Sequence, residues 1–559
     1  MKARLSCESR SKSELEETTF ECRAQSILRP STTPPYTCIT MAPSVPLMSS
    51  STTLLVLIAT LIAACLPSVH AVAIPSSKDW TNTNYIKQID LTGSTSHTLT
   101  TVFIKPNSNP SNAAATTLPY YFLLSAHEAH QLSWTRLTVK PALDSQLAAT
   151  SEFKGGARPV ITLENLGEVD GDAEKTYLFE ANIPSDVLGA DGASLTLETT
   201  LNHVSLPLPS TVKQTDPQLF LWQGDAAIRS PYTTLTGRIK VKAPSPKILS
   251  FTPSDATKSG SIVTYGPFSD VAPFQPSSPL TPASVHYQSD TPHATIVDLQ
   301  RTAEISHWGD ALSITDRILL RNSGPTLKGH FSRIEHQMAS FYNRGSGTAL
   351  SSLSFTLPAG VRDPWFIDQI GNVSTSRFRS SPPNPALVTS SVGVPASNSV
   401  ASKMSLLELQ PRFPLLGGWN YTFSIGYTLP LSAGWTKRLL GSDDYVTAVP
   451  LFTPLKDVAT DSVSTTIVLP EGATRISIEL PFEMDSVDNG ITKTYLDTVG
   501  RPSIRVEKSR CSPEHAQLVY VKYTLTHRAN MIKVAAVAAV AGLLLVGTAV
   551  VQRVETKIR

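Results

Sequence analysis

The chain has 559 residues, with 47 Lys and Arg against 45 Asp and Glu, for a formal net charge of +2. That balance excludes the basic excess on which nucleic-acid binding depends. Only 16% of residues are charged while Pro alone supplies 42, a composition suited to short strands and loops in two or three domains rather than to long surface helices.

Residues 1–40 are polar, carry Glu14, Glu16, Glu17 and Glu21, and precede a second methionine, Met41. Met41 to Ala73 reads as a complete signal peptide, although its first stretch lacks a Lys or Arg. An apolar core runs from Leu54 to Cys65, and Ala71-Val72-Ala73 gives an A-x-A cleavage pattern. The expectation is that translation begins at Met41, that 1–40 is a doubtful extension, and that 41–73 is removed. Cys7, Cys22, Cys38 and Cys65 all precede that cleavage point. Cys511 alone follows it, so no internal disulfide is expected to hold the body together.

Beyond residue 74, period-2 alternation dominates. Tyr177-Leu178-Phe179, Leu195-Thr196-Leu197, Arg238 to Lys242, Thr465 to Leu469, Arg475 to Leu480 and Leu518 to Leu525 all read as strands. Pro470-Glu471-Gly472 reads as a turn. Leu299 to Leu320 is the one stretch with some helical periodicity, interrupted by Gly309. Five prolines between Tyr265 and Pro282 suggest an extended connector, because Pro cannot donate to a ladder. A domain boundary is placed there. Ser380 to Ser402, rich in Ser, Pro, Val and Asn, reads as a flexible insertion.

The fold class is therefore mainly β: two antiparallel β-sandwich-like domains, 74–265 and 266–528, followed by one C-terminal transmembrane helix. The apolar run Val534 to Val551 is 18 residues, about 27 Å as a helix, close to the thin hydrocarbon core of the ER bilayer. The helix is expected over 531–551, with 552–559 as a cytosolic tail. Signal and late span together make a single-pass type I protein with a lumenal or external body. Ala535, Ala538, Ala539 and Gly542 place small residues on one helix face, where another helix could approach closely. Tolerance of Ala in a membrane explains the same residues equally well.

Candidate chemistry is sparse. Asp170-Gly171-Asp172 is a D-x-D, a pattern that holds divalent metal in many glycosyltransferases. Its surroundings, Glu168 to Glu174, suit a hairpin turn better. His127-Glu128-Ala129-His130 departs from H-E-x-x-H because its second His is at i+3, and it reads as a solvated loop. Cys511 with His515 four residues on is not a catalytic pair. No P-loop, nucleophile elbow or dinucleotide fingerprint appears. No catalytic residue, cofactor or metal is assigned. Two N-x-S/T sequons, at Asn372 and Asn420, become glycosylation acceptors in a lumenal chain and should lie at the surface.

Several words in the second half resemble the ribophorin I family, a subunit of eukaryotic oligosaccharyltransferase. They include Ile305 to Gly309 (ISHWG), Leu327 to Arg333 (LKGHFSR), Ile370 to Ser376 (IGNVSTS), Pro411 to Trp419 (PRFPLLGGW), Leu469 to Gly472 (LPEG) and Thr494 to Pro502 (TYLDTVGRP). Tyr265 to Phe268 and Val285 to Tyr287 add to them. Ser230 to Thr233 and the Arg238–Lys242 strand extend the likeness more loosely into the first half. The resemblance implies a non-catalytic subunit of the complex that transfers oligosaccharide from dolichyl diphosphate to Asn of N-x-S/T in nascent chains. It implies an ER membrane location, and as partners the other subunits, including a multispanning catalytic one whose W-W-D-x-G motif Trp308-Gly309-Asp310 only superficially echoes. Contact with the translocation channel and nascent chains is carried by the resemblance alone. The alternative is a free-standing type I surface receptor or carbohydrate-binding β-sandwich protein.

Overall fold

The computed structural model describes residues 73–107, 117–140, 160–169, 171–172, 175–188, 192–276, 281–341, 348–382, 404–439, 441–494, 497 and 499–553. The expected signal peptide up to residue 72, most of the 380–402 stretch read as an insertion, Asp170 and the residues from 554 lie outside them. The described chain is mainly β, with the long helix His527–Arg553 at its C-terminal end.

Two hydrophobic cores organise the strands. The first gathers residues from Trp80 to Tyr287, including Val102, Leu195, Val241, Phe220 and Tyr265. Its largest sheet has eight strands, in the order Thr257–Ser259, Ile262–Val271, Thr233–Lys242, Trp80–Asp90, Thr95–Pro106, Ala193–Asn202, Leu132–Lys140, Val160–Ile161. A four-stranded sheet, built around Gln218–Asp225 and Pro282–Ser289, supplies further faces to this core. The second core runs from Ala294 to Leu525. Its seven-stranded sheet has the order Arg362–Asp368, Asn420–Pro430, Ala311–Asn322, Ala294–Ser306, Ala459–Val468, Arg501–Cys511, Ser486–Thr492. Among the described residues pairing is antiparallel except in three places. Trp80–Asp90 runs parallel to Thr233–Lys242, Ala294–Ser306 to Ala459–Val468, and Thr211–Val212 to Thr326–Leu327. The last of these ties a strand of the first half to one of the second.

Alternation decides which face each strand buries. In Ala311–Asn322, Leu312, Ile314, Ile318 and Leu320 are buried while Ser313, Arg317 and Arg321 are exposed. Pro282–Ser289 likewise buries Ala283, Val285, Tyr287 and Ser289. At about 25 cal/mol per Å² of apolar surface, each such Leu or Ile contributes about 2 kcal/mol.

Three local expectations give way to tertiary context. Leu299–Leu320 is a hairpin, Ala294–Ser306 against Ala311–Asn322, with Gly309 in its loop. The weak helical period came from two strands meeting at that loop. The stretch from Tyr265 to Pro282 is no connector along its whole length. Ile262–Val271 pairs with Thr233–Lys242, and Pro282 opens the strand that pairs with Gln218–Asp225. Pro267, next to Phe268, is accommodated at this point because the ladder shifts register between Gly237 and Ile239. The changeover between cores falls between Tyr287 and Ala294. Finally, His127 to His130 lies in a short helix, α1 (Ala126–Gln131), rather than a loop. Among the described residues two further helices follow, α2 (Arg333–Phe341) and α3 (His527–Arg553).

Candidate functional surfaces

In α1, Ser125 caps the helix by accepting the Glu128 N–H at 3.3 Å, a signal present in the sequence. His127 and His130 point to solvent, while Glu128 turns inward and pairs with Lys87 at 2.5 Å. Burial pushes the Glu128 carboxyl up, but Lys87 and the Ser125 backbone N–H outweigh it and hold the group below its ordinary range. The carboxylate is spent on a structural pair. Asp172 of the D-x-D accepts the Thr176 N–H at 3.0 Å with its side chain and the Lys175 N–H at 3.2 Å with its carbonyl. Those are turn bonds. Among the described residues no three His, Cys, Asp or Glu side chains are grouped to hold a metal ion.

Cys511 is buried, and its thiol is pushed up to about 12 by burial. The thiolate that nucleophilic chemistry needs is therefore disfavoured. His515 Nδ1 accepts from the Ser512 N–H at 3.2 Å, closing the first turn of a short 3-10 segment. Its imidazole is driven down to about 4 by burial. Trp134 and Phe482 meet that ring edge-on, with centroids 4.9 and 4.8 Å away.

This aromatic cluster belongs to a seam between the two halves. Asn202 donates to the Cys511 carbonyl at 3.1 Å, Ser133 to the Arg510 carbonyl at 2.7 Å, and Arg510 to the His130 carbonyl at 2.7 Å. His203 and Asp461 meet at 2.6 Å. Beside the seam, a cleft of about 360 Å³ is lined by Asp90, His97, Trp134, Arg136, Glu198 and Glu514 among others. Its charges are largely answered by neighbours. Asp90 pairs with Lys242 at 2.7 Å, His97 faces Glu514 at 3.6 Å, and Arg136 stands cross-strand from Glu198.

Both sequon asparagines are exposed. Asn420 opens the strand Asn420–Pro430, opposite Arg321. Asn372 follows a tight turn in which Asp368 accepts the N–H groups of Ile370 at 2.9 Å and Gly371 at 3.0 Å. Arg412 pairs with that carboxylate and donates to the carbonyls of Gly371 at 3.2 Å and Asn372 at 2.9 Å. Burial alone would raise the Asp368 carboxyl, but Arg412 and the two N–H groups hold it below its usual range. So the PRFPLLGGW word has two jobs. Its Arg412 braces the first sequon, and its Gly417-Gly418 turn passes over residues 324–326. A Cβ at Gly417 would lie 2.0 Å from the Pro325 carbonyl oxygen, and Gly418 has φ +81°. Trp419 is half-buried between Phe331 and Phe413.

Sequence reasoning missed Arg301 and Asp316. Arg301 shares a face with Leu299 and Ala303, and Asp316 one with Ile314 and Ile318, so the period-2 phase already placed both charges inward. It also missed α2. Ile334, Met338 and Phe341 stand at i, i+4, i+7 with 72%, 57% and 85% exposure, an apolar stripe at helical spacing.

α3 is 27 residues, mean hydropathy 2.5 in its most apolar window, and that window is not covered by the rest of the chain. Ala535, Ala538 and Ala539 are exposed on it and Gly542 partly so. The helix is long and apolar enough to cross a membrane.

A family model described as Ribophorin I matches residues 80–552. Among curated proteins, the dolichyl-diphosphooligosaccharide–protein glycosyltransferase subunit 1B of Oryza sativa subsp. japonica is 34% identical over 344 residues, 60% of this chain and 65% of that one. Subunit 1A of Arabidopsis thaliana is 30% identical over 402 residues, 70% and 60% respectively. Subunit 1 of Caenorhabditis elegans is 31% identical over 357 residues, 63% and 56%. The chain thus spans less than two thirds of the length of these three relatives. Among solved structures, an M1 zinc metallopeptidase from Deinococcus radiodurans aligns with a TM-score of only 0.20 at 11% identity, over 41% of this chain and 42% of that one, too distant to carry any argument.

Proposed function

The chain belongs to the ribophorin I family, and on that premise we propose that it is a non-catalytic subunit of oligosaccharyltransferase, the complex that moves oligosaccharide from dolichyl diphosphate to Asn of N-x-S/T. The observation that carries this reading is the family match, whose bounds, residues 80 and 552, lie at the start of the first strand and near the end of α3. The relatives' printed name, subunit 1 of the glycosyltransferase, supports it.

In this reading α3 spans the ER membrane once, the two β bodies lie in the lumen, and residues 41–73 are the signal that put them there. We divide the lumenal part where the cores change over, between Tyr287 and Ala294. The role of the body is to buttress a multispanning catalytic subunit and shape the approach of nascent chains. The exposed small-residue face at Ala535, Ala538, Ala539 and Gly542 is where a sister span packs, because close backbone approach replaces the hydrophobic drive that lipid removes. Asn372 and Asn420 are themselves acceptors.

Affinity purification of the full chain in mild detergent tests the proposal. Recovery of a multispanning glycosyltransferase subunit, with under-glycosylated secretory proteins after depletion, is the expected result. Surface biotinylation of the chain with normal glycosylation after complete depletion would sink it.

A further inference from the structure

We infer that the tip of the hairpin Ala294–Ser306/Ala311–Asn322 is a membrane-interface anchor, with Trp308 seated among phospholipid headgroups beside the root of α3. The inference rests on the reading of α3 as a membrane span.

Trp308 stands 59% exposed at the turn of a hairpin whose other large apolar side chains are mostly buried. An indole is favoured where one side is apolar and the other wet, because its ring is hydrophobic and its N–H needs a partner. The position of Trp308 supplies such a place. Trp308, His307, Pro470 and Glu471 line the same hollow as Ala529, in the first turn of α3. The Pro470–Gly472 turn abuts that residue closely, since a Cβ at Gly472 would lie 2.8 Å from the Ala529 Cβ. Thr526 fixes the start of the helix by accepting the Ala529 N–H at 3.3 Å.

Depth follows from helix geometry. The apolar run begins between Met531 and Val534, two to five residues after Ala529. At 1.5 Å per residue an upright helix puts Ala529 about 3–8 Å outside the hydrocarbon. The headgroup layer on each side is about 5–7 Å thick. Whatever shares a hollow with Ala529 therefore sits in that layer, the zone where Trp is enriched because its ring is apolar and its N–H needs a partner.

Neighbouring side chains extend the foot. Val499 is 75% exposed, and its N–H is bound by Glu471 Oε1 at 2.6 Å, which ties its loop to the same turn. Ile491, 70% exposed, reaches within 2.7 Å of where a Gly500 Cβ would be. Exposed His527, Arg528 and Lys493 add donors suited to phosphate oxygens. Continuity with α3 is what selects lipid as the occupant over a second protein surface.

The test uses the full chain and its Trp308→Phe variant in phosphatidylcholine vesicles. The lipid is brominated either near the top of its acyl chains or near their ends. The difference in emission between the two proteins reports Trp308. Expected is resistance of both to alkaline extraction, with the Trp308 emission at least halved by shallow bromines and reduced less by deep ones. Quenching by aqueous iodide but by neither lipid would overturn the anchor while leaving the span intact. Quenching by none of the three would overturn it too, since another surface would then cover the indole. Release of the chain by alkaline extraction would remove both readings.

Discussion

Arg301 lies along the carboxylate of Asp316 as a two-pronged pair, Nε and Nη2 each donating to a separate oxygen at 2.6 Å, with neither side chain reached by solvent. The two residues are cross-strand partners in the hairpin that ends in Trp308. Arg301 also donates to the Pro450 carbonyl at 2.8 Å and contacts Thr453 and Tyr427, and Thr453 donates to Asp316 at 3.0 Å. Each guanidinium nitrogen and each carboxylate oxygen of the pair has a partner, the condition under which a buried ion pair is tolerated.

Removing one partner should therefore cost far more than removing both. Arg301→Met leaves Asp316 buried without its countercharge, and about 3–5 kcal/mol should be lost. Arg301→Met with Asp316→Leu should recover much of that. Thermal denaturation of the full chain in detergent compares them. Equal losses would mean that the pair stabilises through its own attraction rather than by avoiding a lone charge.

Glycosidase treatment should produce two mobility steps, one lost in Asn372→Gln and one in Asn420→Gln. Arg412→Ala should lower occupancy at Asn372 and leave Asn420 untouched, because Arg412 bonds the Asn372 carbonyl and its supporting Asp368. Occupancy by peptide mass spectrometry measures it. Full occupancy at Asn372 in that variant would show the brace to be dispensable.

The pH response has a definite sign. His515 and His293 are both driven from 6.5 to about 4 by burial. His293 stacks on Phe220 with centroids 3.9 Å apart, and its Nε2 is buried with no partner. The unfolded chain binds these protons first, so their contribution is full above about pH 6.5 and is lost as pH falls toward 4. Each histidine accounts for at most about 3 kcal/mol. Melting temperature against pH should fall across that window, and His515→Gln with His293→Gln should flatten the fall. An unchanged slope in the double variant would place the acid sensitivity elsewhere.

Gly417→Ala should destabilise by about 2–4 kcal/mol, because its Cβ would collide with a backbone oxygen, which cannot swing aside as a side-chain end can. Ala at Gly441, where nothing lies within 4 Å, should cost about 1 kcal/mol through its φ of +77° alone. Chemical denaturation of each variant gives the comparison.

Replacing Ile334 and Met338 in α2 by Ser should change the stability of the isolated chain by less than about 0.5 kcal/mol per residue, since both side chains are largely exposed. Larger losses would show that the stripe is covered within the chain.

Alternation and turn residues by themselves determined that the chain is built of strands, where several of them run, and that one late segment suits a bilayer, because a pleat with one buried face writes its period into the residues. The ordered words from Ile305 to Pro502 determined the family. Tertiary structure alone decided which strands are neighbours. The parallel pairing of Ala294–Ser306 with Ala459–Val468 joins residues more than 150 positions apart, and nothing local specifies it. It also decided the fates of Glu128, Arg301 and Asp316, whose partners lie on other strands or across a hairpin. The same holds for Trp308. The sequence shows a tryptophan beside a glycine, but only the packing of Gly472 on Ala529 brings that hairpin tip to the root of the helix. Contacts of this kind form between surfaces that the chain brings together only after each has folded, so their signal is spread over distant residues that are individually unremarkable.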